Sequence, residues 1–191
     1  MQLQNKFLKD YRRLYRLIES GTVFTAIDTE TTGLNYRTDR IIEIGAVRFD
    51  KTGVLSTYQS LIKADITETA SEITGITSGV LEGAPLIGEV LPQVIKITDG
   101  SILLGHNLHF DLYFLNTEAE RCGQKGFSNK AIDTLCLSRW AYPQNRQFKL
   151  QALAGQFDIK VEAAHRAFDD ANVCMELFKR ILKDTMTIQK K

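Results

Sequence analysis

With 191 residues, 43% hydrophobic and 25% charged, the chain has room for one compact domain with a sizeable core. Its composition is not that of a disordered, collagen-like or disulfide-stapled protein. The formal net charge of +1 argues against a protein that coats duplex DNA, because such affinity comes from neutralising many phosphates. It allows a grip on a short stretch of nucleic acid, with local charge or bound metal supplying the attraction.

Residues 1–20 read as an amphipathic N-terminal helix, since Leu3, Phe7, Tyr11, Leu14 and Ile18 recur at helical spacing and Gly21 follows as a stop. Lys6, Lys9, Arg12, Arg13 and Arg16 interrupt any leader-like apolar run, and no stretch is long enough to cross a bilayer. The expectation is a cytoplasmic protein with no membrane partner. Cys122, Cys136 and Cys174 are odd in number and widely spaced, so they are expected as buried small side chains rather than a disulfide or thiolate-metal framework.

Three strands are predicted next, over Thr22–Thr29, Arg40–Phe49 and Gly53–Lys63, the last two joined as a hairpin through the turn at Asp50–Gly53. A helical stretch broken by glycines and prolines runs from about Thr67 to Ile97. Ser101–Gly105 reads as a buried strand and Leu108–Cys122 as a helix. A short strand over Ala131–Thr134 precedes helices near Leu135–Ala141, Leu150–Phe157 and Ala167–Leu182. Strands that meander first and then alternate with helices predict an α/β domain with a mixed sheet flanked by helices. The N-terminal helix, residues 1–20, stands before a single domain over 21–191.

Chemistry concentrates in three segments. In Asp28-Thr29-Glu30-Thr31-Thr32-Gly33, strand alternation puts Asp28 and Glu30 on one face, the face that also carries Phe24 and Ala26. Two carboxylates at the end of an apolar strand repel each other and suffer desolvation, which a divalent cation relieves. Such hard oxygen donors suit magnesium or manganese; a solvated pair at a strand end is the bland alternative. In His106-Asn107-Leu108-His109-Phe110-Asp111, Asp111 lies at a strand-to-helix junction, where α/β folds place ligands, although it and Asn107 also suit a helix start. In His165-Arg166-Ala167-Phe168-Asp169-Asp170, helical spacing groups Asp170 with Cys174 and Leu177 on the buried side and Asp169 with Glu176 and Arg180 on the polar side. His165 cannot share Asp170's helical face, but on the preceding loop it can converge with it, and an imidazole there suits a general base at neutral pH.

The ordered set of D-x-E-T-T-G at Asp28–Gly33, H-N-x-x-F-D at His106–Asp111 and H-R-A-x-x-D at His165–Asp170 resembles the DEDDh 3′→5′ exonucleases. That family contains the proofreading epsilon subunit of bacterial DNA polymerase III and many free-standing enzymes. The resemblance covers roughly residues 22–183. It implies a ribonuclease-H-like fold with Asp28, Glu30, Asp111 and Asp170 as metal-binding acids and His165 as the base. It further implies two divalent cations, Mg2+ or Mn2+, bridged by Asp28, with Glu30 and Asp170 completing one position and Asp111 serving the other. Hydrolysis would release nucleoside 5′-monophosphates from the 3′ end of single-stranded DNA or RNA. Thr31, Thr32, Gly33 and Asn107 are the expected substrate contacts around the terminal hydroxyl, with Leu34 and Phe110 against the last bases, ordinary core being the alternative for those two. Arg139, Arg146, Lys149 and Arg166 are candidate phosphate contacts or plain surface charge, and His106 and His109 are expected to be structural. Alternatives are use only as a polymerase-associated proofreading subunit, with a DNA polymerase subunit as partner, or an RNase-H-type endonuclease. Only 21 residues follow Asp170, which favours a free-standing enzyme.

Overall fold

The computed structural model describes residues 3–189. A five-stranded mixed sheet runs in the order β3-β2-β1-β4-β5, from β1 (Phe24–Thr31), β2 (Ile41–Asp50), β3 (Gly53–Leu61), β4 (Ile102–Gly105) and β5 (Ala131–Asp133). β1 to β3 form an antiparallel meander, while β4 and β5 join parallel to β1. The two regimes follow from the connections: a tight turn serves an antiparallel neighbour, whereas a parallel one needs a crossover through helices. The carboxyl ends of β1, β4 and β5 therefore share one edge of the sheet.

Each sheet face buries its own cluster. Phe24, Ala26, Val47 and Phe49 pack with Leu177, Phe178 and Ile181 of α8 (Ala167–Gln189). Ile27, Ile44, Ala46 and Leu103 pack with Val90, Leu91 and Val94 of α4 (Ile87–Thr98) and Leu112 and Leu115 of α5 (His109–Arg121). The broken helical stretch resolves into α2 (Glu68–Thr74), α3 (Ser78–Leu81) and α4, and α6 (Thr134–Ala141) and α7 (Leu150–Gln156) lie between β5 and α8.

The N-terminal helix is present but shorter than the expected 1–20. A 3-10 turn at Tyr11–Arg13 leads into α1 (Leu14–Glu19), whereas residues 3–10 are not helical. Met1 and Gln2 lie outside the described residues. The backbone there is used by β5: Leu8 N–H donates to Ala131 O at 2.8 Å, and Ala131 N–H donates to Lys6 O at 3.0 Å. Phe7 packs with one face cluster and its neighbour Leu8 with the other, the alternation of a strand edge. The apolar spacing was real, but bonding the open edge of β5 outcompeted an eight-residue helix extension. The cysteine expectation also needs one correction: Cys174 is buried and Cys122 half-buried, but Cys136 is exposed.

Candidate active site

β1 delivers the first two acids. Its apolar residues alternate into the core as far as Ile27, after which Asp28 and Glu30 continue the Phe24–Ala26 face beyond the hydrophobic floor, both half-buried. Across the strand pair, Asp28 lies opposite Gly45 and Glu30 opposite Glu43. α8 crosses the sheet at this point. A β-carbon on Gly45 would collide with the backbone of Ala167 and Phe168, so glycine here allows the first turn of α8 to rest on β2.

Glu43 then fixes that turn. It is only 3% exposed, and its carboxylate accepts from Arg166 Nη2 at 2.7 Å, from Arg166 Nε at 3.1–3.2 Å, and from Ala167 N–H at 3.1 Å. A carboxylate at a helix N-terminus satisfies an orphan amide and complements the dipole. His165, exposed on the loop before the helix, has φ +61°, a left-handed backbone rare for a non-glycine residue; the anchored Arg166–Ala167 junction holds it there. Arg166 is thus an ion-pair partner of Glu43 in the structure and not a free phosphate contact.

One turn into α8, Asp170 is buried, at 7% exposure, while Asp169 is half-buried rather than fully solvated. Carboxylate oxygens of Asp28, Glu30 and Asp170 all lie within 4.8 Å of one another. Asp111, in the first turn of α5, is not part of that triplet. It is buried, and its Oδ1 accepts from Thr29 N–H at 3.0 Å and Thr29 Oγ1 at 2.7 Å. Among the neighbouring charges, that of Asp111 nevertheless acts most strongly on Asp28.

The electrostatics are those of crowded acids. Desolvation pushes Asp28 well above the usual carboxylate range, and the charges of Asp111, Asp170 and Glu30 push it further. Burial, with Asp170 and Glu43 nearby, raises Glu30 to about 8. Burial raises Asp111 to about 7 against the opposing Thr29 bonds. It also raises Asp170, against the pull of a Gln151 hydrogen bond and of nearby His165. Hard oxygen donors this close, held out of water and repelling one another, fit a divalent cation.

The remaining predicted residues lie at the carboxyl ends of β1 and β4 and on the segments that follow them. Asn107, exposed at φ +67°, does not cap α5 with its side chain; its carbonyl accepts from Phe110 N–H at 2.9 Å and its own N–H donates to Asp133 Oδ1 at 3.1 Å. Phe110 is half-buried against Phe114, with ring centroids 4.9 Å apart. Leu34 is no core residue, at 86% exposure. Thr31 Oγ1 donates to Gly33 O at 2.6 Å, and Thr32 exchanges hydrogen bonds with the backbone of Arg40. Gly33 sits where a β-carbon would strike the Asp39 carboxylate, so the loop closes tightly on itself. Beside it opens a cleft of about 720 Å3 that Thr32, Arg40, Lys63 and Thr67 help to line; it adjoins the carboxylates through Thr32 and does not contain them. His106 is structural as expected, bonded to Thr134 and to the Phe148 carbonyl, and His109 stacks on Phe7 with centroids 3.8 Å apart.

Sequence reasoning missed three supporting residues. Glu118, 1% exposed, accepts from both Nε and Nη2 of Arg40 at 2.7 and 3.0 Å and from Arg121 at 2.9 Å, while Arg121 also bonds the Arg37 carbonyl. This knot clamps the loop after β1 to α5. Glu43 and Gln151 were missed likewise. For Glu43 a signal existed, an acid inside the otherwise apolar Ile41–Val47 run; for Gln151 and Glu118, ordinary polar positions on helices, none did.

The exonuclease family model, RNase_T, matches residues 25–178, which spans Asp28, Glu30, Asp111, His165 and Asp170. The chain belongs to this exonuclease family. Among curated relatives, the DNA polymerase III subunit epsilon of Treponema pallidum is 42% identical over 86% of this chain and 79% of that protein. The corresponding subunit of Aquifex aeolicus is 31% identical, over 84% of this chain and 81% of that protein. A PolC-type DNA polymerase III from Caldanaerobacter subterraneus is 36% identical, but the match spans only 12% of its length. Among solved structures, Escherichia coli exonuclease I in complex with a dT13 oligonucleotide superposes with a TM-score of 0.78 at 19% identity, over 88% of this chain and 43% of that one. Exonuclease X bound to 5′-overhanging duplex DNA gives 0.65 at 24%, over 84% and 91%. These likenesses establish the ribonuclease-H-like exonuclease fold expected from the sequence. No helix among the described residues is long and apolar enough to cross a membrane.

Proposed function

We propose that this exonuclease is a divalent-metal-dependent 3′→5′ enzyme that removes nucleoside 5′-monophosphates from the end of single-stranded nucleic acid. The observation that carries the reading is the meeting of Asp28, Glu30 and Asp170 oxygens within 4.8 Å, with the charge of Asp111 also acting on Asp28. Asp28, Glu30 and Asp170 would hold one Mg2+ or Mn2+, and Asp28 with Asp111 a second. Bound cations supply the positive charge that separates the carboxylates and offsets charge building on the phosphoryl and leaving oxygens.

The protein's own groups account for the rest. His165, on the loop beside Asp170, takes the proton from the attacking water as its oxygen bonds to phosphorus and the bond from phosphorus to the 3′ oxygen breaks. The closed loop Thr31–Asp39 presents Thr31, Thr32 and Gly33 to the terminal sugar. Leu34, held outward on that loop, and Phe110 give the last bases apolar surfaces that do not read sequence. Single-stranded DNA is the favoured substrate, supported by relatives that are DNA polymerase III subunits and fold neighbours solved with DNA. The same relatives support a DNA polymerase subunit as partner and a cytoplasmic location.

The test is product analysis on matched, 5′-labelled DNA and RNA strands and on a circular strand, with magnesium, manganese or chelator. Stepwise shortening of the linear strand with monophosphate release, only with metal, is the expected outcome. Cleavage of the circle, or release of label as a mononucleotide at the outset, overturns the reading.

A further inference from the structure

Asp170 has an uncharged side-chain partner, where the buried Glu43 and Glu118 have arginines. Gln151, on α7, donates from Nε2 to Asp170 Oδ1 at 2.6 Å. The opposite end of the same amide, Oε1, is buried without a partner among the described residues. A buried orphan acceptor is costly, and here the cost accompanies a short bond to one carboxylate oxygen. α7 is fixed well enough to aim that bond. Leu150, Leu153 and Ala154 sit in the core under α8, and the carbonyl of Phe148, three residues earlier, accepts from His106 Nε2 at 2.6 Å, tying the approach to α7 to the end of β4.

The choice of an amide has a chemical consequence. Glu43 and Glu118 are each held by arginine, which orients the carboxylate and cancels its charge together. A glutamine orients without adding charge, so an acid it holds keeps its full charge for a cation. We infer that Gln151 is a positioning residue for the metal site: it occupies Asp170 Oδ1 and thereby turns Oδ2 towards Asp28 and Glu30. The inference rests on the reading of Asp170 as a metal ligand. Partners that orient ligands in this way typically contribute roughly 10- to 100-fold in metal affinity.

The experiment is calorimetric titration of Mn2+ into the metal-free full chain, comparing the natural protein with Gln151→Met, which keeps length and loses the donor, and with Asp28→Ala. Circular dichroism and thermal midpoint are recorded alongside. The expected result is tight binding by the natural protein, none by D28A, and binding roughly 10- to 100-fold weaker in Q151M with an unchanged spectrum and midpoint. If Q151M unfolds, Gln151→Ser is read by the same criterion. Mn2+ binding by the Gln151 variants within about twofold of the natural protein overturns the role of Gln151 while leaving the metal site intact. Equal binding by the natural protein and D28A removes the metal site itself, and the inference with it.

Discussion

Two sets of acids flank the loop that follows β1, the lone Glu118 on α5 and the pair Asp28 and Glu30 on β1, and they are built on opposite terms. Beneath the loop, Glu118 meets Arg40 and Arg121. At the end of β1, Asp28 and Glu30 accept no bond from an arginine or lysine among the described residues, and burial and repulsion raise both well above the ordinary range. Charge satisfied at home holds structure together; charge left unsatisfied has to be met from outside. A single lesion in each group is therefore expected to move stability and activity in different directions.

The largest effect is expected from Asp28→Asn. Removing the central charge is expected to lower turnover by roughly 10^3-fold or more, about 4 kcal/mol of transition-state stabilisation. The metal-free protein should at the same time be no less stable than its parent, because a repelling buried acid has been neutralised. Turnover on a labelled strand and denaturant unfolding without metal check the two halves; a clear loss of stability would show that Asp28 is structural.

Glu118→Gln is the counterpart. It strands two guanidinium groups that remain partly exposed, 45% for Arg40 and 30% for Arg121, so a loss of about 1–3 kcal/mol in unfolding free energy is expected. Because the loop it clamps carries the proposed substrate contacts, KM should rise several-fold with kcat nearly kept. Denaturation curves and steady-state kinetics read this directly, and a kcat collapse with stability intact would blur the contrast.

The same contrast explains what the sequence could reveal. Strand alternation placed Asp28 and Glu30 on the Phe24–Ala26 face, and helical spacing turned Asp170 inward, because both depend on short-range periodicity. All five strands were legible as short runs of β-branched and apolar residues, and the hairpin from the turn at Asp50–Gly53. The extended course of residues 3–10 was not, since Phe7 and Leu8 satisfy a helical period and a strand edge alike, and only the open edge of β5 decides between them. Nor could spacing show that Arg166 pairs with Glu43, 123 residues away, or that Gln151 meets Asp170. Those contacts exist only once α8 lies across Gly45.

A smaller effect separates the groups by pH. Without metal, Glu30 titrates near 8 and Asp111 near 7 in the folded protein, against ordinary values of about 4 when unfolded. Between those limits the folded state binds more protons, so stability falls as pH rises from about 4.5 to 8. The thermal midpoint in chelator should decline across that range, and Mn2+ should flatten the decline by favouring the ionised acids. Glu30→Gln should reduce the slope, while E118Q should leave it in place. A midpoint that climbs steadily over the same range would contradict the crowding at β1.

The smallest stability effect is expected at Leu34, which shows how little the fold itself asks of the site's rim. At 86% exposure the side chain is surrounded by water rather than core, so Leu34→Ala should change unfolding free energy by no more than about 0.5 kcal/mol. Covering part of a leucine side chain with a base removes apolar surface worth on the order of 1 kcal/mol, and about 1.4 kcal/mol is tenfold in affinity. If Leu34 holds the terminal base, L34A should raise KM for an oligonucleotide by roughly five- to tenfold, yet leave hydrolysis of a small phosphodiester without bases unchanged. Equal loss on both substrates would mean that the side chain shapes the loop and, through it, the acids. Loss on neither would leave its exposure without a role in binding, and the grip on the strand would then fall to Phe110 and the loop backbone.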